Sequence, residues 1–113
     1  MYFDHEKLDV YRAAIEFSTL ANAIIKELPK GNSYFADQLL RASVSITLNI
    51  AEGAGEFAKN EKIRFYRMAR RSATECAAIL DICQNLKLSE HSNTKSRDLL
   101  IRIVSMLTKM INK

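Results

Sequence analysis

Hydrophobic residues recur every three or four positions along most of this chain, which is the spacing of one face of an α-helix. In the first predicted helix, residues 4–28, the apolar positions are separated by 4, 3, 4, 3 and 4 residues, as in a heptad seam. We expect Asp4 to cap the start of this helix and Pro29 to end it, because proline cannot continue a helix. The seam consists of Val10, Ala14, Phe17, Ala21, Ile24 and Leu28.

The second predicted helix, residues 33–53, has the same rhythm but carries an asparagine on its apolar seam. A buried asparagine needs hydrogen-bond partners, and it can fix the register between helices. Gly53 is the expected terminator, since glycine is favoured just after a helix end. The seam consists of Phe35, Leu39, Ala42, Ile46 and Asn49.

Two further helices are predicted, at residues 59–88 and 93–111, with a polar turn between them that offers several capping residues. The third helix has one wide apolar arc. The fourth has two adjacent apolar stripes, so we expect it to be buried on more than one side. Four helices with three short breaks predict an all-α, antiparallel up-down-up-down four-helix bundle that forms a single domain over residues 1–113.

The composition agrees with this architecture and limits the cellular setting. Among 113 residues there are three glycines and a single proline, which favours long helices over a β-protein. The first residues lack the apolar core of a secretory signal, and no apolar window is long enough to span a membrane, so we expect a cytoplasmic protein. Cys76 and Cys83 lie too far apart on one helix for a disulfide, and we expect both to be buried.

Residue patterns typical of catalysis or metal binding are missing. Neither His5 nor His91 follows a glutamate by three residues, as bundle metal sites require. The glycines at 53 and 55 lack the strand and the lysine of a phosphate-binding loop. We therefore expect a protein without enzymatic activity, metal, cofactor or small-molecule substrate.

The net charge is +4, and basic residues are concentrated where the third helix begins. Six of them fall within thirteen residues, opposed only by Glu61. Three of the six share one arc of the helix, which continues toward its end as an apolar surface formed by Ala78 and Ile82. The six residues are Lys59, Lys62, Arg64, Arg67, Arg70 and Arg71, of which Arg64, Arg67 and Arg71 share the arc.

This basic cluster permits three interpretations. It could be a solvated face with an Arg71–Glu75 pair, a subunit interface, or a patch whose arginines bind phosphate through a bidentate fork. In a nucleic-acid site, Tyr66 at the edge of the apolar arc is the better candidate for stacking on a base, since Phe65 projects into the arc.

Four other polar residues lie on or near the packed faces, and we assign them structural roles. Glu52 and Glu75 are expected to accept hydrogen bonds between helices rather than to act as catalytic acids. Asn49 is expected to find partners within the core. The four residues are Arg41, Asn49, Glu52 and Glu75.

Two ordered motifs resemble a known protein family. The first motif is Leu40-Arg41-Ala42-Ser43-x-Ser45-Ile46-x-x-Asn49-Ile50-Ala51-Glu52-Gly53. It resembles the signature of the four-helix bundle proteins encoded in 23S ribosomal RNA intervening sequences. The second motif is Phe65-Tyr66-x-Met68-Ala69-x-x-Ser72-x-x-Glu75. The opening Leu8-x-Val10-Tyr11-x-x-Ala14 and the pair Leu28-Pro29 also fit.

The resemblance implies a left-handed four-helix bundle that assembles as a homopentamer. The chain is also similar to the accessory protein of diversity-generating retroelements, which binds nucleic acid and a reverse transcriptase. RNA or a reverse transcriptase is therefore an implied partner. One departure is Arg71, at a position where the family usually has glycine or a small residue.

Together these observations predict a non-enzymatic, oligomeric bundle that binds RNA through the basic start of its third helix. In the alternative hypothesis, the bundle is a structural or protein-binding scaffold, and the basic residues serve contacts with subunits or a protein partner.

Overall fold

The computed structural model describes residues 2–89 and 93–113, and it contains four α-helices preceded by a 3-10 helix at Asp4–Lys7. No β-strand occurs in these residues, which confirms the predicted all-α class. The helices are α1 (Asp9–Glu27), α2 (Ser33–Gly55), α3 (Lys59–Asn85) and α4 (Thr94–Ile111).

Each helix packs against its neighbours in the sequence, and α1 also packs against α4. This four-cornered arrangement is consistent with the predicted up-down-up-down order and with the left-handed bundle that the resemblance implies. Within the described residues, no helix is both long enough and apolar enough to cross a membrane.

One hydrophobic core contains residues from all four helices. The first four positions of the α1 seam are buried and the last two are partly buried, as the heptad spacing predicts. Both apolar stripes of α4 contribute to the core, so the prediction that α4 is buried on more than one side is confirmed. The largest fully buried side chains include Phe17, Leu39, Ile46, Ile50, Leu100, Ile103 and Leu107.

The start of the chain differs from the prediction that Asp4 caps the first helix. Asp4 opens the short 3-10 helix, and α1 begins only at Asp9, with no side-chain cap at Leu8. The reason is that Leu8 has an extended backbone, with φ −91° and ψ 128°, which separates the two helices. The His5 ring contacts two other rings, with its centroid 5.6 Å from that of Phe3 and 4.5 Å from that of Tyr11.

The prediction that Gly53 ends α2 was wrong. The helix continues to Gly55, and Gly53 is a buried residue within it. A Cβ atom on Gly53 would lie only 2.7 Å from Cε1 of Tyr66 on α3. Glycine at position 53 therefore lets α3 approach α2 closely, and it does not form the turn.

The third helix ends at Asn85, three residues earlier than predicted. Lys87 has a φ of 58°, and its N–H donates to the Gln84 carbonyl at 3.0 Å. The N–H of Leu88 donates to the Cys83 carbonyl at 2.9 Å, and its side chain packs against the core. This pair of hydrogen bonds is a Schellman motif, with lysine at the position that usually holds glycine.

The predicted turn at residues 89–93 falls partly outside the described residues, since 90–92 are not among them. Asn93 precedes α4, but its side chain does not cap that helix. Its Nδ2 donates instead to the Leu80 carbonyl at 3.2 Å and to Oε1 of Gln84 at 3.4 Å. Asn93 therefore joins the start of α4 to the end of α3.

Candidate nucleic-acid interface

The basic cluster lies on the first half of α3, as predicted, but its members are not equivalent. Lys59, Arg64, Arg67 and Arg71 are exposed, whereas Lys62 and Arg70 are only partly so. Arg64, Arg67 and Arg71 share an arc of about 60° at 100° per residue, and the whole arc faces solvent.

Lys62 is bonded to the end of α2. Its Nζ donates to the Gly53 carbonyl at 2.8 Å and to the Ala54 carbonyl at 3.1 Å. The ammonium also lies 5.9 Å from the centroid of the Tyr66 ring. A cation at this place donates to carbonyls in the last turn of the helix and faces the negative end of the helix dipole. Lys62 thus joins α2 to α3.

Arg70 is bonded to α4. Its Nη1 donates to Oγ1 of Thr108 at 3.3 Å, and that hydroxyl donates in turn to the Val104 carbonyl at 2.8 Å. The guanidinium therefore has a structural partner on the neighbouring helix, although part of the side chain remains accessible.

Arg64 is paired within α3. Its Nη2 lies 2.9 Å from Oε2 of Glu61, and its guanidinium carbon lies 4.7 Å from the centroid of the Phe65 ring. Hydrogen bonding to Arg64 lowers the pKa of the Glu61 carboxyl, and the same bond raises the pKa of Arg64. Because both groups are exposed, the pair is weak and a phosphate can compete for the arginine.

Lys59, Arg67 and Arg71 form no side-chain hydrogen bond or ion pair in the part of the chain that the structure describes. The interpretation that Arg71 pairs with Glu75 is therefore not supported, although both residues line one groove. These three cations are the members of the cluster that an anionic partner can bind without displacing another group.

The structure reverses the predicted roles of the two adjacent aromatic residues. Tyr66 is only 4% exposed and packs against Gly53, whereas Phe65 is partly exposed beneath the guanidinium of Arg64. Burial also raises the pKa of the Tyr66 phenol. Tyr66 cannot stack on a base without leaving the core, so Phe65 is the aromatic residue beside the basic cluster.

A polar groove lies between α2 and α3, next to the basic cluster. Asn49 finds hydrogen-bond partners, as predicted, but on its own helix, because its Nδ2 donates to the carbonyl and to Oγ of Ser45 at 2.9 and 3.0 Å. The bond between helices runs from Oγ of Ser72 to Oγ of Ser45, at 2.9 Å. The groove has a volume of about 250 Å³ and is lined by Ser45, Asn49, Met68, Arg71, Ser72 and Glu75.

The other predicted structural residues have no such role. Arg41, Glu52 and Glu75 are exposed, and none makes a side-chain hydrogen bond among the described residues. The prediction that Glu52 and Glu75 accept hydrogen bonds between helices was therefore wrong, because both side chains are exposed to solvent, Glu75 at the edge of the groove.

Sequence reasoning missed Ser45 and Ser72 as a hydrogen-bonded pair that joins α2 to α3 in the groove. The signal that could have found them is spacing. Ser45 and Asn49 are one helical turn apart, as are Ser72 and Glu75, so each pair shares a face of its helix.

The two cysteines are buried and unpaired, as predicted. Burial raises the pKa of the Cys76 thiol to about 12, with a further contribution from the charge of Glu75, and burial also raises the pKa of Cys83. Both thiols are neutral at physiological pH and thus poor nucleophiles. In the described residues, no group of histidine, cysteine and acidic side chains could hold a metal ion, and His91 lies outside them.

Comparison with models of protein families gives a match over nearly the whole chain. The family model described as "23S rRNA-intervening sequence protein" matches residues 6–113. No curated protein matches the chain.

Proposed function

The chain belongs to the 23S rRNA-intervening sequence protein family, and from this premise we propose that it is a non-enzymatic, cytoplasmic bundle that binds RNA. The observation that carries the proposal is the exposed arc of α3. Arg67 and Arg71 lie there without an intramolecular partner among the described residues, and Arg64 lies beside them in a weak, exposed pair.

The chemistry of these side chains suits a phosphate backbone. Each guanidinium can donate two parallel hydrogen bonds to one phosphate, and arginine sheds its hydration more readily than lysine. Lys59, at the first position of α3, adds a further cation where the helix dipole is positive. Lys62 and Arg70 contribute positive charge to the same region while they hold the helices together. Phe65 offers an apolar ring for stacking.

The test is the salt dependence of binding to a single-stranded RNA, measured by fluorescence anisotropy. Each phosphate neutralised contributes about 0.7 to the slope of log K against log salt for a single strand. The double variant Arg67→Ala/Arg71→Ala should therefore lose affinity and show a slope about 1.4 smaller than the wild type.

A matched double variant controls for net charge. Lys26→Ala/Lys30→Ala removes two exposed cations at the end of α1 and just after it, and in the described residues α1 does not pack against α3. We expect it to keep most of the affinity. An Arg67→Ala/Arg71→Ala protein that binds as the wild type does, or a control that loses as much, would contradict the assigned site.

A second candidate function is a scaffold that binds protein, and a different observation favours it. Three apolar side chains one turn apart on α2 are exposed, with fractions of 51% for Leu40, 43% for Val44 and 58% for Leu48. An apolar stripe of this kind suits a protein interface. The occupant could be another copy, in the homopentamer that the resemblance implies, or a reverse transcriptase.

Light scattering separates the two candidates. If Arg67→Ala/Arg71→Ala stays at the mass of the wild-type assembly but loses RNA, the arginines bind RNA. If the assembly dissociates, they belong to a subunit interface. The apolar stripe is tested through Leu48→Glu, at the most exposed of its three positions, which should lower the mass if copies meet there.

A further inference from the structure

The groove between α2 and α3 has hydrogen-bonding groups that the fold leaves unused. Oγ of Ser45 accepts from Asn49 at 3.0 Å and from Ser72 at 2.9 Å. A hydroxyl has two acceptor sites and one donor, so the Ser45 hydrogen remains available to donate into the groove. Oδ1 of Asn49 and the carboxylate of Glu75 accept no hydrogen bond among the described residues.

The groove adjoins the proposed RNA-binding arc through Arg71. This arginine belongs to the exposed arc, and it also lines the groove. A strand whose phosphate is bound by Arg71 can therefore place the adjoining sugar at the mouth of the groove. The volume of about 250 Å³ is below the range of pockets that enclose a drug-sized molecule, so it suits a sugar better than a whole nucleotide.

We propose that this groove binds the ribose of the RNA strand and recognises its 2′-hydroxyl, so that the protein prefers RNA to DNA. This inference rests on the proposed function. The 2′-hydroxyl is both a donor and an acceptor, and it is the group that distinguishes the two polymers. The Ser45 hydroxyl donates to it, and the Glu75 carboxylate accepts from it, as acidic residues do for ribose hydroxyls in dinucleotide sites.

Deoxyribose would leave this recognition incomplete. With no 2′-oxygen, the Ser45 hydrogen and the Glu75 carboxylate lose a partner when the strand covers the groove. A site built to bind a hydroxyl rejects a ligand that lacks it, since its own polar groups are then left unpaired.

The experiment compares three single strands of one sequence, as RNA, DNA and 2′-O-methyl RNA, by fluorescence anisotropy at fixed salt. We expect the wild type to bind RNA roughly tenfold more tightly than DNA, the effect of one hydrogen bond to a charged group. The 2′-O-methyl strand should bind no better than DNA, because it has lost the donor.

Single substitutions test whether the groove is the source of the preference for RNA over DNA. Glu75→Ala and Ser45→Ala should each bring the RNA-to-DNA affinity ratio toward one. Glu16→Ala, on an exposed position of α1, removes the same charge as Glu75→Ala and should keep the wild-type ratio. The ratio is the decisive quantity, since the loss of a negative charge strengthens binding to both polymers alike.

The outcomes separate this proposal from the proposed function. RNA preference that Glu75→Ala abolishes and Glu16→Ala retains supports both. Tight binding of RNA and DNA with equal affinity overturns the groove assignment and leaves the proposed function standing. Absence of binding to any strand overturns both. A preference that survives in both Glu75→Ala and Ser45→Ala shows that RNA is recognised elsewhere, which also overturns the groove assignment.

Discussion

The ring of Tyr66 lies directly against Gly53, where α2 and α3 meet. A Cβ atom added to Gly53 would sit 2.7 Å from Cε1 and 2.8 Å from Cδ1 of that ring. Tyr66 is only 4% exposed, so the ring has little room to move away. The Gly53 carbonyl also accepts the hydrogen bond from Lys62. Gly53 therefore has two contacts with the first half of α3. Its missing side chain leaves room for the Tyr66 ring, and its carbonyl accepts a hydrogen bond from Lys62.

Gly53→Ala should destabilise the protein by about 1–3 kcal/mol, the usual cost of forcing an extra carbon into a packed core. This cost outweighs the gain of about 1 kcal/mol that alanine brings to a helix interior. Urea denaturation followed by circular dichroism measures the difference. Gly55→Ala is the matched control, since no heavy atom lies within 4 Å of a Cβ there. Equal stabilities of the two variants would contradict the close packing.

The helices and their buried faces could be predicted because the spacing of apolar residues shows which side of each helix faces the core. The structural role of Gly53 could not be predicted in this way. Gly53 has the same local sequence whether it ends a helix or admits a ring from another helix, and the ring comes from Tyr66, thirteen residues further along. Only the packing of α2 against α3 distinguishes the two possibilities.

The same limit applies to the candidate site. The sequence locates the basic cluster, but the partners that occupy two of its members lie on other helices. Lys62 bonds to the end of α2, and Arg70 bonds to Thr108 on α4. Phe65 and Tyr66 differ by one 100° step, so a small error in the helix rotation exchanged their predicted environments.

Lys87→Gly should stabilise the protein. Lys87 has a φ of 58°, in the left-handed region that costs an L-residue about 1–2 kcal/mol and costs glycine almost nothing. We expect a gain of about 1 kcal/mol in the free energy of unfolding. Lys87→Ala removes the same charge but keeps the Cβ atom, so it should bring no comparable gain. If both variants are equally stabilised, the charge and not the backbone is responsible.

Stability should fall in alkaline solution because of Cys76. Its pKa in the folded state is about 12, above the ordinary value of 9.0, so the unfolded thiol ionises first as the pH rises. The stabilising contribution is complete below about pH 9 and is lost as the pH rises toward about 12, at about 1.4 kcal/mol per pH unit. Urea denaturation at several pH values, with a reductant present, measures the slope.

Cys76→Ala isolates this contribution. The variant should be less stable than the wild type at neutral pH, because a buried side chain has been shortened, but its stability should fall less steeply above about pH 9. Lysine and tyrosine side chains titrate in both proteins, so their effects cancel in the comparison. Parallel slopes for the two proteins would show that the Cys76 thiol does not control the alkaline transition.

Lys62 and Lys59 provide a comparison between a cation with a structural role and one without. Lys62→Met keeps the length of the side chain but removes the hydrogen bonds to Gly53 and Ala54, and we expect a loss of about 1–2 kcal/mol in the free energy of unfolding. Lys59→Met, at an exposed position, should change that free energy by less than about 0.5 kcal/mol.

Binding of RNA should not separate the same two variants as stability does. Each loses one positive charge from the cluster, so both should weaken binding to a similar extent, measured by anisotropy at a temperature where both proteins are folded. A Lys62→Met protein as stable as the wild type would contradict the bond to α2. If it also lost far more affinity than Lys59→Met, Lys62 would bind phosphate directly, and its contact with the carbonyls of α2 would give way when RNA is present.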